Sequence, residues 1–294
     1  MKMTDIMAAF LSHTALFLPE DVVSKLKDMR ADEHDPAARK IYDMMFENLR
    51  LAAELRRPSC QDTGFVQFKI ECGSRFPLIH DLGSILNEAV IRATAETPLR
   101  PNAVETFDEY NTGNNTGTNC PSLFWDIIPE RDDCVIYTYL AGGGCTLPGH
   151  AAVLMPGEGY EGIVRFVMDR ITSYGLNACP PLLVGVGVAN SIETAAMLSK
   201  KALLRPVGSH SANEKAAEME RLLEEGINAI GIGPQGLGGS ASVMGVNIEN
   251  AARHTAAIGV AVSFGCWTHR RGRIVFDSEL NWSADTHPGF SFSL

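Results

Sequence analysis

Seven cysteines are spread along the 294 residues of this chain, and no two of them form a CxxC pair. Closely spaced cysteine pairs are typical of structural zinc sites, and an even number in a short secreted chain is typical of disulfide frameworks. Neither pattern fits. Isolated cysteines in Gly- and Pro-rich loops can instead converge on an iron–sulfur cluster, because iron needs thiolates that are close in space but not in sequence. Three such ligands would leave one iron open to substrate.

The composition is that of a protein with a substantial buried core. Hydrophobic residues make up 45% of the chain, and the formal net charge is −10. A sequence-blind nucleic-acid binder would need a basic face, so we expect no nucleic-acid partner. We find no run approaching the ~20 apolar residues of a membrane span and no signal-peptide core after Met1, and we expect a cytoplasmic protein with no membrane association.

The hydrophobic pattern predicts an α+β fold of mixed helices and short sheet strands, forming a single domain over residues 1–294 that houses the cluster. The first fifty residues are helical in pattern, with Asp35 as an N-cap before Pro36. Further helices are predicted over residues 82–95, 163–174, 191–204 and 213–230. Strands are predicted over residues 65–70, 134–140, 182–189, 243–248 and 258–264.

Three cysteines lie in loops at the ends of predicted elements. Cys60 follows a helix and Pro58, Cys179 precedes two prolines, and Cys266 follows Gly265. Each could hold a cluster or be an inert buried thiol, since cysteine is among the residues most often buried. Cys134, inside an apolar strand, fits the inert role best.

Two polar or glycine-rich segments could bind an anion. Gly142–Gly144, followed by Cys145, would let successive backbone N–H groups surround a carboxylate, although a tight turn has the same pattern. Cys145 could instead be a fourth ligand of an iron–sulfur cluster or a second nucleophile. Residues 98–121 are rich in asparagine and glycine and favour turns. Arg100 within them could bind a carboxylate with two hydrogen bonds or could be an isolated surface arginine, which is the commoner case.

Three other features are weaker indications of function. Residues 231–236 match GxGxxG, but they follow a helical pattern and include Pro234, so a nicotinamide enzyme is a poor alternative. His254 could act as an acid, a base or an orienting group, or could be a satisfied residue at a helix end. Arg270 and Arg271 are predicted to be a solvated or interface pair.

Together these strings resemble the class I, iron–sulfur fumarase and tartrate dehydratase family. The resemblance covers nearly the whole chain and implies the N-terminal, or alpha-subunit, catalytic domain. It is carried by residues 57–64, 73–77, 107–117, 141–149, 177–187, 231–237 and 251–271.

The family implies a role for each matching residue. Cys60, Cys179 and Cys266 would hold a 4Fe-4S cluster with one iron not ligated by cysteine. Gln61, Arg100 and Gly143 would bind substrate, and Asp62 and His254 would be catalytic. The proton-abstracting threonine would lie in a second region, which is the C-terminal half of single-chain members and the beta subunit of two-subunit members.

One loop departs from the fumarase pattern, which has lysine before the glycines and Ser-Glu after them. Here the residues are Ala141, Cys145 and Thr146, as in the tartrate dehydratase version. The resemblance therefore implies an oxygen-sensitive hydro-lyase that converts L(+)-tartrate to oxaloacetate, in a heterotetramer of two alpha and two beta subunits. The alternatives are a malate/fumarate or related diacid enzyme and a non-catalytic iron–sulfur protein.

Overall fold

The computed structural model describes residues 2–292, which divide into two compact units interleaved along the chain. Unit 1 contains the described residues within Met1–Glu20, Glu47–Gly142 and Arg270–Leu294. Unit 2 contains Asp21–Phe46 and Gly143–His269. Helices and sheets occur in both, which confirms the mixed α+β class. The single domain over residues 1–294 stays a prediction.

The helices and strands alternate irregularly along the chain. The helices are α1 (Lys2–Leu16), α2 (Glu20–Asp32), α3 (Pro36–Leu55), α4 (Leu82–Glu96), α5 (Gly143–Thr146), α6 (Gly159–Tyr174), α7 (Ile192–Leu204) and α8 (Glu214–Ala229). The strands are β1 (Phe65–Gly73), β2 (Val104–Glu105), β3 (Tyr110–Asn111), β4 (Ser122–Ile128), β5 (Cys134–Ala141), β6 (His150–Leu154), β7 (Leu182–Ala189), β8 (Val243–Asn250), β9 (Ile258–Gly265), β10 (Arg271–Phe276) and β11 (Trp282–Ser283). Short 3-10 helices span Pro156–Glu158, Gly175–Ala178 and Pro234–Gly236.

Unit 1 is built on a five-stranded sheet with the order β11-β10-β5-β1-β4. Strands β1 and β4 are parallel, whereas the other neighbouring pairs of this sheet are antiparallel. Strand β1 alternates buried and half-buried residues along most of its length. Its buried side chains, including Phe68 and Ile70, pack in one core with α1 and α4. The loop that contains Cys60 leads directly into β1.

Unit 2 is built on a four-stranded sheet with the order β6-β9-β7-β8. Val184 and Val186 of β7 pack in the core with α6 and α8. The intervening Gly185 and Gly187 approach α7 so closely that a Cβ on Gly187 would lie 1.9 Å from the carbonyl oxygen of Ala195. Alternating valine and glycine therefore let β7 accept helices on both faces, since successive strand residues point to opposite faces.

One described helical stretch, Lys2–Asp32, is long and apolar enough to cross a membrane by length and composition. The expectation that no such stretch exists was therefore too strict. Core helices and signal sequences have the same composition, and 61% of its most apolar window is buried. In the structure it is interrupted between Leu16 and Glu20, and α1 lies in the core of unit 1. The cytoplasmic location stays a prediction.

Local signals predicted the helix starts well. Asp35 accepts hydrogen bonds from the backbone N–H groups of Ala37 and Ala38, and Ser191 accepts one from Thr194 at the start of α7. The sequence missed β4, β6, β10 and β11, which are short or carry polar residues. The interpretation of Arg270 and Arg271 as a solvated pair is wrong, because each is 2% exposed.

Candidate functional site

The strand order of unit 2 brings three cysteines to one end of its sheet. Cys179 precedes β7 and Cys266 follows β9, and these strands are antiparallel with Leu183 opposite Gly265. Strand β6 is antiparallel to β9 and begins at His150 opposite Val262, so Cys145 in the preceding α5 reaches the same end. Three cysteines distant in sequence therefore meet. Two of them, Cys179 and Cys266, are predicted cluster ligands, and the third is Cys145 rather than Cys60, so the predicted set of three stays a prediction.

Cys145 and Cys266 interact directly, and Cys179 lies close enough to act on Cys145 through its charge. Hydrogen bonding to the sulfur of Cys266 is the largest effect that raises the pKa of Cys145, followed by burial and the nearby charges of Cys266 and Cys179. Cys145 is 7% exposed, Cys266 is half-buried and Cys179 is exposed. The Sγ atom of Cys266 lies 3.1 Å from Oγ1 of Thr268. Within this group the more accessible thiols are thus Cys179 and Cys266, two of the three that the resemblance assigns to the cluster.

Cys179 is held in an uncommon backbone conformation. Its φ of 56° and ψ of 74° are left-handed, and it ends the 3-10 helix Gly175–Ala178. Its carbonyl accepts the N–H of Trp267 at 3.3 Å, and the carbonyl of Pro180 accepts the N–H of Gln235 at 2.8 Å. A non-glycine residue adopts this conformation only where the surroundings enforce it, and such positions cluster at functional sites.

The donor chemistry of this group suits an iron–sulfur cluster, although the thiols are not spread around an ion. Within residues 2–292, no set of three His, Cys, Asp or Glu side chains is arranged to hold a single metal ion. None of the seven cysteines forms a disulfide. Two accessible thiols beside a third buried one are compatible with thiolate ligation, which is the ligation that iron–sulfur clusters use.

The Cys60 loop lies in unit 1 and is fastened by polar side chains. Asn48 Nδ2 donates to the carbonyl of Ser59 at 2.8 Å. Asp62 Oδ1 accepts the N–H of Gly64 at 3.0 Å and Nδ2 of Asn102 at 3.2 Å. Cys60 is half-buried in this loop. The loop therefore presents its thiol from a fixed backbone.

Arg100 is positioned by its backbone while its side chain stays exposed. Its N–H donates to Oγ1 of Thr63 at 3.0 Å, and its carbonyl accepts from Oγ1 of Thr63 and Nδ2 of Asn115. Asn115 is buried and also accepts the N–H of Asn102 at 2.7 Å. The Asn-rich segment is thus ordered by side chain–backbone hydrogen bonds, and Arg100 and Asp62 share one polar network.

Three other predicted site residues have different surroundings. Gln61 is exposed beside Asp62. Gly143 is also exposed and begins the four-residue α5, so the triple glycine leads into a helical turn rather than an open loop of N–H groups. His254 is exposed and precedes β9, at the end opposite Cys266. Strand β9, which lies between them in the sequence, has eight residues and spans about 25 Å.

Sequence patterns missed several residues of these two groups. Thr63 lies in the Cys60 segment, and Asn102 and Asn115 lie in the Asn-rich segment, but the sequence patterns assign none of the three a role of its own. Lys200 of α7 has the sequence pattern of an ordinary surface lysine. Burial lowers the pKa of Lys200, and the nearby Cys145 partly offsets that effect.

Comparisons with known proteins show which family this chain belongs to. Residues 4–275 match the model of the family described as fumarate hydratase (Fumerase). A protein of Escherichia coli strain K12 and one of Shigella boydii serotype 4, both named "L(+)-tartrate dehydratase subunit alpha", are each 56% identical to this chain over 286 residues. Those alignments cover 97% of this chain and 94% of each relative. A Methanocaldococcus jannaschii relative, named "Putative L(+)-tartrate dehydratase subunit alpha", is 35% identical over 285 residues, covering 95% of this chain and 100% of its own length.

The family match and the identity to these relatives define the class of protein as a carbon–oxygen lyase that adds or removes water. The chain belongs to the fumarate hydratase (Fumerase) family and is a hydro-lyase enzyme. Its similarity to the alpha subunits of L(+)-tartrate dehydratase extends along almost its whole length.

Proposed function

We propose that this chain is the alpha subunit of a hydro-lyase that dehydrates L(+)-tartrate to oxaloacetate and water. The observation that carries the proposal is the 56% identity, over 97% of the chain, to proteins named as alpha subunits of that enzyme. The loop of Ala141, Cys145 and Thr146 supports it, because it has the tartrate dehydratase pattern.

Cys60, Cys179 and Cys266 are the proposed ligands of a 4Fe-4S cluster. The grouping of Cys179 with Cys266 in unit 2 and the fastened loop of Cys60 in unit 1 support this assignment. Lewis-acid activation of the leaving hydroxyl is the chemistry that the cluster would supply when bound.

The remaining proposed residues bind and orient the substrate. The exposed guanidinium of Arg100 would pair bidentately with a carboxylate, since its backbone is held by Thr63. Gln61 and Gly143 would contribute polar contacts from exposed positions. Asp62 would hold or move a proton beside Arg100. Loss of the proton on carbon and of the neighbouring hydroxyl, together as water, would give an enol that tautomerises to oxaloacetate.

His254 has weaker structural support as a catalytic residue. Its Nδ1 accepts the N–H of Ala256 at 3.0 Å, which leaves Nε2 as the atom that could carry or exchange a proton. His254 precedes β9 whereas Cys266 follows it, so the family resemblance alone supports its catalytic role.

The proposal includes a beta subunit that carries the proton-abstracting threonine and further arginines. The subunit name of the relatives supports it. A base positioned at the proton is worth about 10²–10⁴ in rate. The chain alone should therefore be nearly inactive, and the active assembly should be a heterotetramer of two alpha and two beta subunits.

The experiment is an anaerobic turnover assay of the cluster-loaded chain, before and after addition of its beta subunit. L-tartrate, malate and fumarate are supplied separately, and the products are identified. Oxaloacetate from tartrate, formed only after the partner is added, is the expected result. Turnover of malate and fumarate in preference to tartrate would instead establish the fumarate hydratase alternative, which the family description favours.

A further inference from the structure

The hairpin of strands β2 and β3 in unit 1 carries a patch of exposed apolar side chains. Phe107, in its turn, is 99% exposed, and Tyr110 is 64% exposed. Val104 is exposed as well. Single exposed apolar residues are common on monomeric proteins, but three of them close together on one hairpin form a patch, and such patches mark interaction sites.

Hydrogen bonds hold this hairpin in one conformation. The N–H of Thr112 donates to the carbonyl of Ala103 at 3.2 Å, and Glu105 pairs with Tyr110 across the two strands. Oε1 of Glu105 also accepts the N–H of Thr118 at 2.8 Å. Two short strands alone are marginally stable in water, so these bonds keep the exposed aromatic residues in place. A surface fixed in this way loses little conformational entropy when a partner binds.

The hairpin is continuous with the proposed substrate site. Val104 is four residues after Arg100, so their Cα atoms are at most about 14 Å apart. Nδ2 of Asn111 donates to the carbonyl of Pro101 at 2.9 Å, which ties the second strand to the residue that follows Arg100. A partner that completes the site beside Arg100 therefore approaches the hairpin as well.

The charge of the hairpin suits a basic partner surface. Its residues, 103–112, include Glu105, Asp108 and Glu109 but no lysine or arginine. Asp108 and Glu109 are exposed and directly follow Phe107. In the proposed function, the second subunit supplies further arginines for the substrate carboxylates. Acidic side chains at the edge of the site attract such a surface and orient it as it approaches.

A cleft beside the hairpin can receive a side chain of the partner. Its volume is about 490 Å³, and it is lined by residues 103–108 and 116–120 together with Phe65 and Thr112. Stable interfaces combine anchoring side chains on one surface with pockets on the other, and aromatic residues are common anchors. The hairpin thus offers both an anchor, Phe107, and a pocket.

The geometry points to the β2–β3 hairpin as a docking site for the beta subunit, an inference that rests on the proposed function. Phe107 and Tyr110 enter an apolar pocket of that subunit, and lysine or arginine side chains around the pocket pair with Asp108 and Glu109. A second copy of this chain docked hairpin to hairpin would set the same acids against each other. The charge therefore favours a different chain as the partner.

The test measures binding of the beta subunit to Phe107→Ala, Tyr110→Ala and Asp108→Lys variants of the full-length, cluster-loaded chain. Tyr160→Ala is the matched aromatic control, because Tyr160 is 65% exposed but lies in α6 of unit 2. Glu218→Lys, at an exposed position of α8, is the charge control. Biolayer interferometry under anaerobic conditions gives the association rate and the Kd, and sedimentation of each chain alone gives its self-association.

Phe107→Ala should raise the Kd for the beta subunit about 30-fold or more, which is the effect of removing an interface anchor. Tyr110→Ala should weaken binding in the same direction. Asp108→Lys should slow association about tenfold at low salt, and the difference should shrink as salt is added, because salt screens exposed charges. Tyr160→Ala and Glu218→Lys should match the wild type.

The hairpin variants should keep the thermal midpoint and the visible absorbance of the lone chain, since the replaced side chains are exposed. Asp108→Lys changes charge and not packing, so its association rate tests the docking site even if Phe107→Ala is less stable. Association of Asp108→Lys at the rate of Glu218→Lys, together with a Kd of Phe107→Ala equal to that of Tyr160→Ala, would overturn the inference.

Two other results would assign the hairpin to a different occupant and so overturn the inference as well. Changed self-association with normal binding of the beta subunit would assign it to an interface between copies of this chain. A raised KM for tartrate with normal binding would assign it to the substrate.

Failure of the proposed function gives results of a different kind. A wild-type chain that binds no beta subunit would overturn the proposed two-subunit enzyme and the docking site with it. An assembled enzyme that prefers malate and fumarate to tartrate would overturn the proposed substrate alone. Normal assembly of the wild type and of every hairpin variant would overturn only the docking site.

Discussion

Leu183 of β7 lies opposite Gly265 of β9 in an antiparallel pair. This pairing places the segment that enters β7 beside the segment that leaves β9, so Cys179 and Cys266 meet although they are far apart in sequence. The grouping of proposed ligands in unit 2 is therefore a direct consequence of strand register.

Replacing a proposed ligand by serine should remove the cluster. We expect Cys60→Ser, Cys179→Ser and Cys266→Ser each to abolish the broad visible absorbance and the activity, because a hydroxyl is a poor ligand for iron. Absorbance and iron content after anaerobic reconstitution provide the measurement. Cys134→Ser, at a buried position inside β5, is the control and should retain its cluster. A normal cluster in Cys179→Ser would refute the assignment.

Thr63→Val should leave the backbone of Arg100 less firmly held and so weaken substrate binding. The substitution removes the hydroxyl that bonds both the N–H and the carbonyl of Arg100, which should destabilise the fold by about 1–3 kcal/mol. We expect a higher KM with a smaller change in kcat, and recovery in Thr63→Ser. Thr112→Val is the control, since the hydroxyl of Thr112 makes a long bond of 3.5 Å to Ala103. An unchanged KM in a folded Thr63→Val enzyme would contradict this view.

Gly187→Ala should disrupt the packing of α7 on β7. The added Cβ would lie 1.9 Å from the carbonyl oxygen of Ala195, so strand and helix must separate. Overpacking of this kind costs about 3 kcal/mol. Denaturant unfolding measures it, and Gly157→Ala is the matched control because a Cβ at that position would meet no described atom within 4 Å. Equal stability of the two variants would mean that the contact is easily relieved.

His254→Asn tests whether the exposed histidine takes part in the reaction. Asparagine can still accept the N–H of Ala256, so the local turn should persist. If His254 transfers a proton, kcat of the assembled enzyme should fall by about 10²–10⁴ with the cluster intact. His34→Asn, at another exposed position, is the comparison and should be fully active. Loss of kcat no larger than in His34→Asn would remove His254 from the catalytic set.

Glu33 should make the free energy of unfolding of unit 2 depend on pH in the acid range. Burial alone would raise its pKa, but hydrogen bonds from Asp35, Ser240 and His34 hold the pKa of Glu33 below its ordinary value. A carboxyl with a lowered folded pKa stabilises the protein above its unfolded pKa of about 4.3, and the contribution is lost as pH falls through the folded pKa.

Glu33→Gln should therefore cost about 1.5–3 kcal/mol at neutral pH, and the difference from wild type should shrink in acid. Thermal unfolding across pH measures both effects. The exposed pair of Glu47 with Arg50 gives the control Glu47→Gln, which should have a much smaller effect because solvent screens the pair. A constant difference at all pH values would contradict the assignment.

Predictions from sequence were most successful where the signal is local. The strand over residues 182–189 and the helix capped by Ser191 match β7 and α7, because alternation, capping and helix periodicity act over a few residues. Sequence patterns also separated Cys60, Cys179 and Cys266 from the buried Cys134, since loop positions favour accessible thiols, but they did not show that Cys145, beside three glycines, is buried. Sequence patterns did not predict that Arg270 is buried, because no local pattern shows whether other segments pack over the residue that precedes a β-strand.

The sequence by itself determined the family, the secondary structure of the longer elements and the identity of the residues that could hold a cluster or bind a carboxylate. The tertiary structure alone decided which of them meet. Strand order places Cys145 next to Cys179 and Cys266, and it places His254 at the other end of β9. Arg270 is buried, and two of its nitrogen atoms have no hydrogen-bond partner among the described residues. The physical reason is that residue chemistry and periodicity are local properties, whereas register, desolvation and charge pairing depend on segments that are distant in the chain.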